Sequence, residues 1–337
     1  MDWFERLTGF PEGDYATTVQ NLQVEGEHLH STINGKSYRT GRLELASLKT
    51  LRDRVSQAIR SPGRLRVSAV VGDVRRMHQA PENSTALFQV ASQFNLLEMA
   101  SPKFTPNDGV GCYEHDRTQG PACAIAAGAA TIYRNYFVPV DGQIGQTAER
   151  QINCLHDVGV TLTGILGLPL EKLWALRNGY ALCSELGLDA ISECLQSLSL
   201  EKIDEIRGDL KVGVHSDVEV TDSRTKIRPV VSQVFCSALP VAYTRIPSER
   251  WAPFASLVLE AAYEATLLAA ILNHANGNSS VVLLTHLGGG AFGNNPEWIT
   301  RAIRRALVAV SDFDLDVKIV SFSRITTDTA ELVNEFR

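Results

Sequence analysis

The chain lacks several patterns that would each fix a function. Its six cysteines (Cys112, Cys123, Cys154, Cys183, Cys194, Cys236) never stand as CxxC, which excludes a zinc ribbon or a dithiol redox pair. Its eight histidines form no HExxH, and His28 and His30 lie in an alternating segment that reads as a strand face. Positive charge is in deficit, 32 Lys and Arg against 38 Asp and Glu, so the net charge of −6 disfavours non-specific nucleic-acid binding. Apolar runs stop short of a bilayer span, and Met1–Arg6 has no basic region followed by an apolar core, so neither a membrane nor a secretory signal is expected. Scattered thiols then fit a reducing compartment, cytoplasmic or nuclear.

What is present is an alternation of short apolar runs with helical periodicity. Leu29 to Leu43 alternates around Asn34-Gly35, a hairpin signal. Leu45 to Ile59 has helical spacing and stops at Ser61-Pro62-Gly63. Strands are expected at Arg66–Val71, Ala86–Ala91, Lys211–Val220, Val230–Ala238, Val281–Leu284 and Val317–Phe322. Helices are expected at Ala122–Tyr136 and Ala255–Asn273, and a helical insertion at about 148–210. Continuous apolar strands alternating with helices predict an α/β/α sandwich, whose ligands sit at the carboxyl ends of strands. Residues 1–64 read as an N-terminal extension of hairpin and helix, and 65–337 as one domain carrying the insertion.

The strongest chemical signal is Thr285-His286-Leu287-Gly288-Gly289-Gly290-Ala291-Phe292-Gly293-Asn294-Asn295-Pro296, between a strand and a helix. Glycines let backbone N–H groups approach an anion, and a helix N-terminus favours negative charge by about 0.3–1 kcal/mol. No Gly-Lys-Ser/Thr follows, so it is not a P-loop, and its spacing is not GxGxxG. A second polar stretch, Thr105 to Pro121, carries Asp108 and Asp116, with Glu114, His115 and Gln119 between or beside them. Paired carboxylates in one pocket can divide the work of positioning water and stabilising an oxocarbenium-like centre. The competing reading makes Asp108 a turn residue and Asp116 a cap or ion-pair partner. Phe94 and Asn95, after the second strand, suit a ribose edge or an ordinary strand-end turn. Gly72-Asp73 suits a cap of the following turn, or a contact to an adenine amino group, and Phe322 suits either an adenine face or the core.

Three stretches together resemble the macrodomain superfamily, most nearly its divergent MavL-like ADP-ribosylhydrolases: Ala86 to Asn95, Asp108 to Ala122, and Gly288 to Asn294. The resemblance implies a three-layer α/β/α fold with a mixed central sheet and a pocket for ADP-ribose. It implies an enzyme that removes mono-ADP-ribose from protein, with arginine linkages favoured, and no resident cofactor. By position, Gly288, Gly289, Gly290, Ala291, Phe292, Gly293 and Asn294 would hold the diphosphate. Phe94, Asn95, Gly109, Gln119 and Gly120 would border the ligand, and Asp108 and Asp116 would face the anomeric carbon. The chain has no Asn-Ala-Ala-Asn signature and no Gly-Gly-Gly-x6–8-Glu-Glu motif, so cleavage of poly(ADP-ribose) is not implied. The alternatives are a module that reads ADP-ribose without cleaving it and a hydrolase of small ADP-ribose derivatives. A Mg²⁺ shared by Asp108 and Asp116 is a variant that chelation would test.

Overall fold

A computed structural model describes residues 1–58 and 63–337; the expected helix end at Ile59 and stop at Ser61-Pro62 lie outside the described residues. Seven strands form the central sheet, numbered along the chain: β1 (Arg42–Ser47), β2 (Arg66–Val71), β3 (Leu87–Ala91), β4 (Lys211–Glu219), β5 (Val230–Cys236), β6 (Val281–Leu284) and β7 (Asp316–Ser321). Their spatial order is β1-β4-β5-β3-β6-β7-β2. Neighbours from β5 to β2 pair in parallel, whereas β4 runs antiparallel to both β1 and β5. The sheet is therefore mixed.

Alternate side chains prove that both faces are covered. Phe88 stacks on His78 of the helix Val74–Gln79, at 3.7 Å between centroids, while its neighbour Gln89 donates to Thr266 on the opposite side. On β5, Gln233 reaches His78 and the Cys123 carbonyl, and Ser232 reaches Asn273. One outer layer therefore holds α1 (Gln119–Ala126), and the other holds α3 (Ser248–Ala275) with α4 (Pro296–Ala309) beside it. The α3 helix is long and apolar enough to cross a membrane, but 89% of its most apolar window is buried inside the fold. Its all-round hydrophobicity is that of a core helix.

The expected helix over 122–136 is two helices, α1 and α2 (Gly128–Tyr136), broken at Ala127 with φ −113° and ψ 57°. The break lets Gly128 N–H donate to Thr221 Oγ1 and seats Gly128 against the Trp3 ring. The expected boundary near residue 64 is not where the body begins. Strand β1 is an edge of the central sheet, and Leu48–Gln57 packs on α3. Residues before 42 form the extension: two short helices and a three-stranded sheet that includes the hairpin at Gly35, whose φ is +68°. The insertion contains the helices His156–Leu166, Glu185–Ser197 and Leu200–Gly208, and also an antiparallel hairpin, Trp174–Arg177 with Tyr180–Cys183.

Candidate functional site

Three neighbouring parallel strands, β5, β3 and β6, end on the same edge of the sheet, and their following loops surround one pocket. Ligands in open α/β sheets bind at this edge. The pocket takes residues from Ala91–Gln93, from Ala238, from Thr285–Phe292 and from the start of α1. It is partly open to solvent, with about 750 Å³ of empty space when the solvent at its mouth is included. Among the described residues no lysine or arginine lines it. An anion there would be held by backbone N–H groups.

The glycine loop supplies such groups. Gly288 has φ +74°, and a Cβ there would lie 2.5 Å from the Ala238 Cβ; Gly293 has φ +69° and would meet the Ala242 Cβ at 2.7 Å. These two glycines serve the turn. Gly290 does not: its φ is not positive, and a Cβ there would meet nothing within 4 Å. Some loop N–H groups are engaged, Gly289 with the His286 carbonyl, Gly293 with the Gly290 carbonyl and Asn294 with the Gly288 carbonyl. Those of Gly288, Gly290, Ala291 and Phe292 meet no acceptor among the described residues. Asn294 is buried and donates to the Leu239 carbonyl at 2.8 Å, so it braces the loop. Asn295 caps α4 by accepting from Glu297 N–H, with Pro296 at the first helical position. A Cβ at Gly289 would stand 3.1 Å from the Ile299 Cδ1 methyl, and Gly289 is not among the pocket's lining residues.

The start of α1 forms the facing wall. Gln119 ties it to the end of β3: its amide oxygen accepts from Ala91 N–H and its amide nitrogen donates to the Gln89 carbonyl, both at 2.8 Å. Gln119 lines the pocket, but its amide is already engaged. Gly120 lies so close to β3 that a Cβ would stand 2.1 Å from the Ala91 carbonyl oxygen. Asp116 reaches the pocket, and its Oδ1 accepts from Thr118 N–H at 2.8 Å. An aromatic cluster closes one side: Phe292 lies 5.3 Å from Tyr180 and 5.6 Å from Tyr243. Tyr180 belongs to the hairpin of the insertion, so the insertion supplies part of the site.

Other expected site residues lie elsewhere. Asp108 is exposed, outside the pocket, and its carboxylate accepts from the N–H and hydroxyl of Thr105 at 2.7 and 2.9 Å. The reason is local. Two short 3₁₀ turns, Pro106–Asp108 and Gly111–His115, wind the segment between the two aspartates, and Asp108 closes the first as a capping box. Gly109 has φ +81° and packs on Glu12, away from the pocket. Phe94 is core, at 1% exposure. Asn95 is buried, donating to Gln151 and accepting from Leu97 N–H, which shapes the turn where Leu96 takes φ +64°. Asp73 caps Val74–Gln79, and Phe322 is exposed and outside the pocket.

That turn delivers a residue that pattern reading missed. Glu98 is among the pocket's lining residues, with its Cγ 3.0 Å from where a Gly120 Cβ would stand, and its two carboxyl oxygens are buried with no hydrogen-bond partner among the described residues. Burial pushes its carboxyl up to about 8, against the pull of Arg134, whose Nη2 is 3.5 Å away. Arg134 is itself fully buried, which lowers its pKa; it donates to the Leu96 carbonyl and Thr131 and lies 3.8 Å over the Phe235 ring. An arginine still keeps its proton under these conditions, so the pair is an uncharged acid beside a cation. The sequence held one signal: Glu98 is a lone charge in the apolar run Leu96-Leu97-Glu98-Met99.

No family model and no curated protein matches the chain. Among solved structures it is similar to poly(ADP-ribose) glycohydrolase from Deinococcus radiodurans in complex with ADP-ribose, at 12% identity over 88% of this chain and 92% of that one, TM-score 0.42. It is likewise similar to the glycohydrolase from Thermomonospora curvata bound to the inhibitor ADP-HPD, at 12% identity over 96% and 97%, TM-score 0.43.

Proposed function

We propose that the chain binds ADP-ribose in this pocket and hydrolyses the bond joining its terminal ribose to a protein side chain, arginine by preference. One observation carries the reading. A single pocket joins glycine-loop N–H groups that meet no acceptor among the described residues, a helix start, an aromatic wall and the carboxyl side chains Asp116 and Glu98. The N–H groups suit a diphosphate, and Tyr180, Tyr243 and Phe292 suit a sugar or base face. The arginine preference rests on the resemblance of 86–95, 108–122 and 288–294 to macrodomain ADP-ribosylhydrolases.

In this mechanism Asp116 stands at the anomeric end of the ribose and stabilises the positive charge that develops there, or orients the attacking water. Glu98 holds a proton near neutral pH and serves as the acid for the leaving group. A proton donor for the leaving group and a second carboxyl group at the anomeric carbon are what acid-assisted cleavage of a glycosidic bond requires. Asp108 has no part in it. That displacement favours a second reading, a module that binds ADP-ribose without cleaving it, because one of the two expected acids is absent from the pocket.

Calorimetry with ADP-ribose, followed by release assays on arginine-, glutamate- and serine-linked substrates, separates the readings. Binding with release from the arginine linkage is expected. Binding without release from any linkage makes the chain a reader, and no binding defeats both. Chelation by EDTA is expected to leave release unchanged.

A further inference from the structure

The N-terminal extension lies outside the pocket, yet one of its side chains grips the loop that leads to Asp116. The Glu12 carboxylate accepts from Val110 N–H, 2.9 Å from each oxygen, from Gly111 N–H and from the Tyr136 hydroxyl at 2.7 Å. Two glycines make room for it. A Cβ at Gly109 would stand 2.5 Å from the Glu12 carboxyl carbon, and one at Gly111 would stand 2.8 Å from an oxygen. The same arm holds the loop at two more points: Trp3 Nε1–H donates to the Val110 carbonyl, and Trp3 N–H and Arg6 both donate to Glu114. The held loop then does two things at the pocket. Tyr113 accepts the Glu98 N–H at its hydroxyl, 3.0 Å away, and Asp116 follows three residues later.

We infer that Glu12 is a positioning residue, through which the N-terminal arm sets the places of Asp116 and Glu98 in the pocket; its catalytic consequence rests on the hydrolase reading above. Apolar packing would hold the loop without direction, whereas a carboxylate accepting two successive backbone N–H groups fixes its orientation. Precision matters here because a misplacement of about 1 Å can cost 10²-fold in rate.

The test compares the full chain with Glu12→Ala and Glu12→Gln. Hydrogen exchange is expected to speed up in Glu12→Ala at the amides of Val110 and Gly111 and onward to Thr118, with β3 unchanged. On an arginine-linked substrate, kcat is expected to fall about 10–100-fold with KM changed less than about three-fold, as a displaced catalytic group predicts. Glu12→Gln keeps one acceptor oxygen and the side-chain shape, so it is expected to recover part of kcat. A brace with only structural importance would lower the melting temperature and leave kcat of the folded variant intact, and that result overturns the inference. So does unchanged exchange from Tyr113 to Thr118. Should Glu12→Ala not fold, Glu12→Gln decides by the same two readouts. Should the unmodified chain hydrolyse nothing, the hydrolase reading fails by itself, and exchange from Tyr113 to Thr118 still decides whether Glu12 positions the loop.

Discussion

Two loops of this protein look alike as text and differ as structures. Residues 285–295 and 105–121 are both polar, both carry glycines and both lead into a helix. In the first, several N–H groups meet no acceptor among the described residues, and Gly290 is glycine without a conformational reason. In the second, the donors and acceptors largely satisfy each other: Asp108 closes on Thr105, and Glu12 fills Val110 and Gly111. Only its far end, from Asp116 to Pro121, faces the pocket. A site is marked less by polar residues than by hydrogen-bonding capacity left unused after folding.

The comparison can be broken most severely at Gly290. Because the space around it is empty, Gly290→Glu is expected to leave the fold intact and to remove ADP-ribose binding below calorimetric detection by bulk and like charge. Retained binding would mean that the first loop is not the anion site. Next comes Asp116→Asn, which can still accept from Thr118 N–H. Its turnover is expected to fall about 10²–10⁴-fold while ADP-ribose affinity stays measurable. A variant as active as the parent removes Asp116 from the chemistry.

Glu98 sharpens the contrast through pH. Its carboxyl titrates at about 8 when folded and at an ordinary carboxylate value when unfolded, so between those limits the folded chain holds the extra proton. Stability from this group is complete below the unfolded value and is lost as pH rises through about 8, at roughly 1.4 kcal/mol per unit. Denaturant melts at pH 6 and pH 9 are expected to show this loss in the parent and a flatter profile in Glu98→Gln. Equal slopes would show that Glu98 is already charged at pH 6. The smallest effect belongs to Asp108→Ala. It is expected to lower stability by about 0.5–2 kcal/mol through the lost cap and to leave turnover within about two-fold. A large loss of turnover would return Asp108 to the site.

Reading the chain located most strands of the sheet, because their continuous apolar runs are a local property. It also located the glycine loop, where strand, glycines and helix are consecutive. It did not separate α1 from α2, since the break at Ala127 depends on Thr221 and Trp3, which are remote in sequence. It placed Phe94 and Asn95 at the pocket because they follow a strand. The turn at Leu96 instead buries both and delivers Glu98. The role of the insertion was equally invisible, since Tyr180 meets Phe292 only through the folded hairpin.

An α/β chain with a glycine-bearing loop at a strand end follows from residue order alone, because periodicity and glycine spacing act over a few residues. Which acids share the pocket was settled by folding. Burial and hydrogen-bond satisfaction depend on partners far along the chain, as with Glu12 and Val110, 98 positions apart. Glu12 engaged the loop at Val110 and Gly111, and burial beside Arg134 raised the Glu98 carboxyl.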